Sequence, residues 1–332
     1  MSNAAPIPPV AELHCHVEAT VSPADARRLA ARHRLDISSV FDDAGAYRWR
    51  TFTEFLHVYD AVSEVVRTPE DYFEITAHYF ERMAAKGMIY GELIVSPAHA
   101  ARFGLPYAVL MDAVASAMRE AETENSVAGR IIVTAVRHYG AEHAFETAKA
   151  AAASPHPYVT GFGMAGDEAF GAAADFRSAF EIARDAGLNC TVHAGEILGP
   201  ESVRDALQIF KVQRIGHGVR AIEDPALVAE LADRSVTLEV CPTSNVAMGL
   251  YPSIAEHPVR VLSEAGVNVT LNADDPAFFD TDPVEEYKRA ANAHGFSYDT
   301  LLGFTRNAIE AAFCDDETKT RLLNNIATAD DE

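Results

Sequence analysis

The first predicted strand of the chain, Val10–His16, leads into the segment His14-Cys15-His16-Val17-Glu18-Ala19-Thr20. An open, doubly wound α/β sheet usually carries a glycine-rich turn after its first strand, where backbone N–H groups hold a pyrophosphate. The present segment contains no glycine and places two imidazoles and a carboxylate at that position. It therefore favours the other common arrangement of parallel strands and helices, which is a closed barrel.

Further short apolar runs follow this strand, and amphipathic segments with helical spacing lie between them. The runs predicted as strands are 88–96, 130–138, 159–164, 189–193, 214–217, 237–241 and 268–272. The segments predicted as helices include 22–33, 69–86, 106–124, 141–153, 173–186 and 225–232. Strands that alternate with helices form βαβ units and a parallel sheet, and eight such units close a barrel. We therefore predict an α/β fold of the (β/α)8 TIM barrel type.

The length beyond a minimal barrel lies in two helical regions. Residues 20–87 are predicted to hold at least two helices after the first strand, including one over 51–66. Residues 276–328 are predicted to form a C-terminal helical region after the last strand. Because no linker rich in Gly, Ser or Pro precedes either region, we interpret both as parts of one barrel domain that spans 1–332.

The composition of the chain restricts the kind of partner it can bind. The 332 residues include 27 Lys and Arg against 49 Asp and Glu, which gives a formal net charge of −22 at pH 7. Such an acidic chain is a poor match for nucleic acid or an anionic membrane. The 4 cysteines form no CxxC pair. No signal peptide or long apolar run is evident, so we expect a cytoplasmic protein with reduced thiols. Its oligomeric state is left open.

Histidine and aspartate residues lie at the ends of several predicted strands, on the barrel face that carries active sites. His14 and His16 are two residues apart on one strand, so both imidazoles point to the same face. His193 ends the fifth strand, and Asp274 and Asp275 end the eighth. Three imidazoles and one carboxylate suit Zn²⁺ and leave a position for water. We predict that His14, His16, His193 and Asp274 hold this ion.

Two further polar residues lie near this set of ligands. Glu196 follows His193 by three residues and could move a proton at a bound molecule. His217 ends the sixth strand and is either a further metal ligand or a group that orients or deprotonates water. A second metal ion usually requires a bridging Lys or Glu at the end of the fourth strand, which here ends in Gly163-Met164-Ala165-Gly166. One metal ion per chain is therefore favoured.

These segments resemble the signature motifs of the adenosine deaminase family. The matching segments are His14-Cys15-His16, Glu92-Leu93-Ile94-Val95-Ser96-Pro97, Ala165-Gly166-Asp167-Glu168, Thr191-Val192-His193-Ala194-Gly195-Glu196, Arg214-Ile215-Gly216-His217-Gly218 and Leu271-Asn272-Ala273-Asp274-Asp275-Pro276. They occur in the order of the family. The resemblance implies a barrel enzyme that binds one Zn²⁺ and hydrolyses adenosine to inosine and ammonia.

The resemblance also implies roles for individual residues around the four metal ligands. Glu196 would be the general acid that protonates N1 of the purine, and His217 would orient the attacking water. Asp275 would contact both that water and N7. The backbone N–H of Gly166 would donate to N3, and His16 would face the substrate as well as the metal.

One segment departs from the pattern of the nucleoside enzymes in this family, which carry Asp and then Gly two positions after the second ligand. Here these positions are Glu18 and Ala19. The family Asp contacts the ribose 5′-hydroxyl, whereas Glu is also seen in relatives that act on adenine or on 6-aminodeoxyfutalosine. Ser96-Pro97 and 165–168 look more like the nucleoside enzymes. Because Glu18 stands where the family Asp contacts the ribose, we expect Glu18 to contact the substrate.

The expected partner is a small purine nucleoside or base, used in purine salvage. Adenosine, together with 2′-deoxyadenosine, is the favoured substrate. Adenine or another N9-substituted adenine, such as 6-aminodeoxyfutalosine, is the alternative. AMP is less suitable because no cluster of Lys or Arg accompanies the motifs to bind a 5′-phosphate.

The helix predicted over 51–66 resembles the lid that covers the purine in this family. Phe52, Phe55 and Tyr59 recur at near-helical spacing, and Trp49 precedes them. Packing in the core is the slightly favoured interpretation of each aromatic side chain on this helix, and Trp49 fits either role.

Overall fold

Eight parallel strands form the centre of the molecule, in a computed structural model that describes residues 6–328. The strands are β1 Val10–His16, β2 Met88–Val95, β3 Ala128–Val136, β4 Val159–Ala165, β5 Asn189–Ala194, β6 Arg214–His217, β7 Thr237–Val240 and β8 Asn268–Leu271. Each strand pairs with its neighbour in the order of the chain. The predicted (β/α)8 barrel is confirmed, and the strand ends agree with the prediction within two residues.

Helices surround the strands and extend both ends of the barrel. They are α1 Pro23–His33, α2 Phe52–Ser63, α3 Pro69–Ala84, α4 Pro97–Ala101, α5 Tyr107–Asn125, α6 Ala141–Ala153, α7 Arg177–Asp185, α8 Pro200–Asp205, α9 Pro225–Asp233, α10 Pro242–Ala247, α11 Val259–Glu264, α12 Pro276–Phe279, α13 Pro283–His294, α14 Tyr298–Ala311 and α15 Asp316–Thr328. In the described residues, α1 to α3 occupy the region between β1 and β2, and α12 to α15 follow β8. None of these helices is both long and apolar enough to cross a lipid bilayer.

Local sequence signals explain where several helices begin. Ser22 accepts a hydrogen bond from the backbone N–H of Asp25, and Pro23 occupies the first turn of α1. Thr68 and Asp71 form a reciprocal capping box at the start of α3. Such caps satisfy backbone N–H groups that have no partner within the helix.

The barrel closes where β8 meets β1, and this junction differs from the other strand pairs. Its backbone contacts lie at the carboxyl ends, where His16 N–H donates to Asp274 O at 3.0 Å and Asp274 N–H donates to His14 O at 2.9 Å. Nearer the middle, Leu13 N–H donates to the side chain of Asn272 at 3.0 Å. Ala273 N–H in turn donates to Glu12 Oε2 at 2.9 Å. The side chains of Asn272 and Glu12 therefore help to close the barrel, and the metal-ligand candidates lie beside them.

The inside of the barrel contains a buried ion network in addition to aliphatic side chains. Arg214 on β6 donates through Nη2 to Glu92 on β2 at 2.6 Å and through Nε to Glu239 on β7 at 2.7 Å. All three side chains are at most 1% exposed. Below them, Phe313 N–H donates to Glu92 at 2.6 Å, so the segment between α14 and α15 covers this end of the barrel.

Candidate active site

Three imidazoles and one carboxylate converge at the carboxyl ends of β1, β5 and β8. His193 Nε2 lies 3.0 Å from His14 Nε2 and 3.3 Å from His16 Nε2. Asp274 Oδ1 lies 3.5 Å from His14 Nε2 and 3.4 Å from His16 Nε2. Ligand atoms around a tetrahedral Zn²⁺ are about 3.3 Å apart, given Zn–N distances of about 2.0–2.1 Å. These four distances are close to that separation.

The tautomer of His14 also fits a metal site. Its Nδ1 donates to Glu239 Oε2 at 2.6 Å, which leaves Nε2 to face the cluster, as is usual for a metal-ligating histidine. Burial lowers the pKa of His14, but the hydrogen bonds with Asp274 and Glu239 raise it to about 10. A site that holds a proton this firmly would also stabilise a metal cation in its place.

His217 lies against the same cluster. Its Nε2 is 3.9 Å from Asp274 Oδ2 and 3.6 Å from Glu196 Oε2. Two overlapping sets of residues could hold a metal, namely His14, His193, His217 and Asp274 in one set and His16, Asp274 and Asp275 in the other. His217 faces Oδ2 of Asp274, the oxygen that also accepts from Ser244 Oγ at 2.7 Å, whereas His14 and His16 face Oδ1.

The backbone at two of these residues lies in the left-handed region. His217 has φ 59° and Asp274 has φ 61°. A residue other than glycine costs about 1–3 kcal/mol in such a conformation, and strained residues of this kind cluster at functional sites. His217 at the end of β6 and Asp274 just beyond β8 both face the cluster.

Glu196 lies on a loop that a second carboxylate holds in place. Glu168 accepts from the backbone N–H groups of Gly195 at 2.5 Å, Ile197 at 2.7 Å and Leu198 at 2.8 Å. Burial, reinforced by the charges of nearby carboxylates, raises the pKa of Glu196 to about 8. This carboxyl group therefore carries a proton at neutral pH, as a general acid requires.

A cavity of about 110 Å³ opens beside the cluster. It is lined by His16, Glu18, Phe55, Leu56, Tyr59, Asp60, Ile94, Ser96, His99, Thr134, Val136, His138, Tyr139, Ala165, Gly166, His193, Glu196, His217, Ser244, Met248, Asp274, Asp275 and Phe279. Every residue that the sequence predicted for the site, except the buried His14, is on this wall. Within the described chain, the lining contains several carboxylates and neither Lys nor Arg.

Two oxygen atoms on this wall, Asp275 Oδ1 and Ser96 Oγ, have no hydrogen-bond partner among the described residues. Burial and the charge of Asp274 raise the pKa of Asp275 well above its ordinary value. A buried polar atom without a partner is costly, so both atoms are suited to contact a bound molecule.

Glu18 lines the cavity and is 1% exposed. Its two oxygens accept from the hydroxyl groups of Tyr59 and Tyr72, each at 3.2 Å. His99 Nδ1 lies 3.3 Å from Oε1. Burial would raise the pKa of Glu18, but His99 holds it below its ordinary value. The structure thus places an anionic acceptor beside the predicted metal site.

The helix α2 covers the cavity with aromatic side chains. The ring of Phe55 stacks on that of Phe279, with centroids 5.5 Å apart, and Tyr59 stacks on Phe278 at the same distance. Trp49 meets Phe55 edge to face at 5.5 Å. Phe55 and Tyr59 belong both to the packed core and to the cavity wall. The side chain of Phe52 lies outside the described residues.

Comparison with known proteins decides the family. The family model described as adenosine deaminase matches residues 9–329. The chain belongs to the adenosine deaminase family. The resemblance inferred from the motifs is confirmed, and the chain is a hydrolase that acts on the C6 amino group of a purine.

Individual members of this family are similar over nearly the whole chain. Adenine deaminase from Rhizobium rhizogenes is 48% identical over 315 residues, which cover 95% of this chain and 98% of that protein. The crystal structure of adenine deaminase from Arthrobacter aurescens has a TM-score of 0.92 and 29% identity, and covers 98% of this chain and 100% of that chain. The crystal structure of an amidohydrolase from Burkholderia ambifaria, with bound Zn, has a TM-score of 0.88 and 28% identity. It covers 97% of this chain and 90% of that chain.

The family motifs do not account for every residue that shapes the site. Glu239, Ser244 and His99 contact predicted site residues, but sequence reasoning did not single them out. Ser244, for example, donates to Asp274 although the two residues are 30 positions apart in the chain. Such contacts depend on the closed barrel and leave no local signal.

Proposed function

We propose that the chain removes the 6-amino group of free adenine by hydrolysis, which yields hypoxanthine and ammonia. Glu18 is the observation that carries this proposal, because it places a buried carboxylate on the cavity wall. The relatives named adenine deaminase, which match nearly the whole chain, support it. Adenosine, which the sequence motifs favoured, is the second candidate on the strength of Ser96-Pro97 and 165–168.

A carboxylate in this position favours a free base for a chemical reason. Free adenine carries an N–H in its five-membered ring, and adenosine has lost that donor to the glycosidic bond. An ionised carboxylate can accept about four hydrogen bonds, and the two tyrosine hydroxyls use part of the capacity of Glu18. A site built to bind a substrate N–H rejects an analogue that lacks it strongly, by about 10⁴–10⁵ in favourable cases.

The charge of the cavity disfavours nucleotides as substrates. A 5′-phosphate is usually bound by Arg, Lys or backbone N–H groups. The described lining offers Glu18 and Asp60 and contains no basic Lys or Arg side chain. A phosphate beside these carboxylates would be repelled.

His14, His16, His193 and Asp274 would hold one Zn²⁺. Such an ion lowers the pKa of water to about 7 and so supplies a nucleophile at neutral pH. The solved amidohydrolase with bound Zn supports the choice of metal. Glu168, the carboxylate that follows β4, has its oxygens engaged by backbone N–H groups, which supports a single ion rather than a bridged pair.

The remaining residues would bind and protonate the purine. Glu196 would donate its proton to N1 as the C6 carbon is attacked, which stabilises the charge that develops on the ring. Burial lowers the pKa of His217 to about 4, so its ring is neutral and would orient the attacking water. Asp275 Oδ1 would contact that water and N7, and Gly166 N–H would donate to N3.

A comparison of substrates tests the proposal. The kcat/KM of the purified, Zn²⁺-loaded protein is measured on adenine, adenosine, 2′-deoxyadenosine and 6-aminodeoxyfutalosine. We expect adenine to exceed each nucleoside by at least about 10³, as for sites that bind a substrate N–H. A preference for adenosine would overturn the choice of adenine, and the deamination at C6 would stand.

A further inference from the structure

A chain of buried hydrogen bonds leads from a backbone amide to the back of His217. Val259 N–H donates to His257 Nδ1 at 3.2 Å. His257 Nε2 lies 3.1 Å from Asn245 Oδ1, and Asn245 Nδ2 lies 3.3 Å from His217 Nδ1. His257 is 2% exposed, Asn245 is fully buried and His217 is 1% exposed. Water therefore does not replace these contacts.

The first hydrogen bond fixes the direction of the others. Val259 is the first residue of α11, so its N–H has no acceptor within the helix and can only donate. His257 Nδ1 must then be unprotonated. Burial lowers the pKa of His257 to about 3, so the ring is neutral and carries its single proton on Nε2.

The amide of Asn245 has only one orientation that agrees with this proton. With Oδ1 towards His257, the amide accepts the Nε2 proton and directs its NH₂ group at His217 Nδ1. The reversed amide would set two donors against each other at His257 and offer His217 an oxygen instead. His217 Nδ1 is therefore an acceptor.

We infer that Asn245 and His257 are positioning residues that hold His217 in the tautomer with its proton on Nε2. That nitrogen is the one that faces Glu196 Oε2 at 3.6 Å and Asp274 Oδ2 at 3.9 Å. His217 thus presents an N–H donor to the site. It orients the oxygen of the attacking water and does not accept a proton from it at Nε2. The inference rests on hydrolysis at C6 and not on which purine is the substrate.

Substitutions at His257 distinguish an effect on the tautomer of His217 from an effect on the packing around position 257. The variant His257→Gln keeps one donor for Asn245 and one acceptor for Val259, so kcat should stay within about threefold of the unsubstituted chain. The variant His257→Leu lacks the donor and lets the amide reverse, so kcat should fall at least about tenfold with KM little changed. His294→Leu, another buried histidine substitution on α13, is the control and should leave kcat unchanged.

Asn245→Asp tests the last hydrogen bond directly and does not depend on the fold tolerating a leucine at position 257. Its carboxylate would accept a proton from Nδ1 and so reverse the tautomer of His217. Loss of one oriented donor costs about 10²–10³ in kcat, and we expect a loss of this order with Zn²⁺ content retained.

The spectroscopic readout is the ¹⁵N chemical shift pattern of the imidazoles, which distinguishes Nδ1–H from Nε2–H without turnover. We expect Nε2–H at His217 in the unsubstituted chain and Nδ1–H in Asn245→Asp. Nδ1–H in the unsubstituted chain would overturn the inference. So would unchanged kcat in Asn245→Asp, or in a folded His257→Leu protein.

Discussion

Gly216 lies against the imidazole of His14, so closely that a Cβ atom on Gly216 would stand 2.7 Å from His14 Cε1. The same added atom would lie 3.3 Å from His193 Nδ1. Two of the proposed ligands, His14 and His193, therefore occupy the space that a larger residue at position 216 would need. The glycine within the Arg-Ile-Gly-His motif keeps room for the metal site.

Gly216→Ala should weaken metal binding because one or both imidazoles must move. We expect the affinity for Zn²⁺, measured by competition with a chelator, to fall at least about tenfold, which is the lower range for disturbed metal-site support. Gly303→Ala is the matched control, because nothing lies within 4 Å of the added Cβ on α14. Equal affinities for both variants would contradict this account of Gly216.

Glu196→Gln should keep the fold and the metal but lose the proton that the carboxyl group donates. General acid catalysis is worth about 10²–10⁴-fold, and we expect kcat to fall within that range. The measurements are steady-state kinetics and the Zn²⁺ content of the same sample. Glu201→Gln serves as control, since its side chain is 88% exposed on α8. Near-normal activity of Glu196→Gln would remove this residue from the mechanism.

Glu18→Gln should reduce activity on adenine without loss of metal, since Glu18 contacts the tyrosines and not the cluster of ligands. We expect kcat/KM for adenine to fall about 10²-fold, because a neutral amide is a weaker acceptor than an ionised carboxylate. Glu18→Asp should raise the ratio of adenosine to adenine activity. Glu54→Gln, an exposed substitution on α2, should change neither value.

The pH dependence of stability should report the buried His257. Burial lowers its pKa from 6.5 to about 3, so below pH 6.5 the unfolded chain binds a proton that the folded chain does not. The free energy of unfolding therefore falls as the pH is lowered. This residue accounts for about 2 kcal/mol of loss between pH 7 and pH 5.

The measurement is urea unfolding of the unsubstituted chain and of His257→Gln, which keeps the hydrogen bonds but does not titrate. The variant should lose about 2 kcal/mol less than the unsubstituted chain over this pH range. The other titratable groups near His257 are Tyr251, whose ring centroid is 4.9 Å away, His294 and His217. Parallel loss in both proteins would show that His257 is not the titrating group.

The barrel, and the grouping of the candidate site residues at one end of it, could be predicted from sequence because their signals are local. Buried parallel strands appear as short apolar runs, and polar residues at their ends are conspicuous. His14 and His16 share a face through the two-residue period of a strand. His193 and Asp274 follow once the strands are counted.

Other features of the site depend on contacts between distant parts of the chain. In the sequence Thr-Leu-Glu-Val, nothing distinguishes Glu239 from an ordinary polar residue. Its carboxylate nevertheless accepts a hydrogen bond from His14, which is 225 residues away in the chain. The link from Arg214 to Glu92 spans 122 residues. The positive φ of Asp274 is likewise imposed by the surrounding fold. The proposed preference for adenine over adenosine rests on Glu18, whose tyrosine partners come from α2 and α3.

The junction of β8 with β1 has a consequence for how the protein opens. His14 and His16 lie on one side of it and Asp274 on the other, so a bound metal would fasten the two ends of the sheet together. Ligands that bind only the folded state oppose its local opening. Removal of the metal should therefore speed amide hydrogen exchange first at His16 and Asp274. The ion that supports catalysis would also stabilise the closure of the barrel.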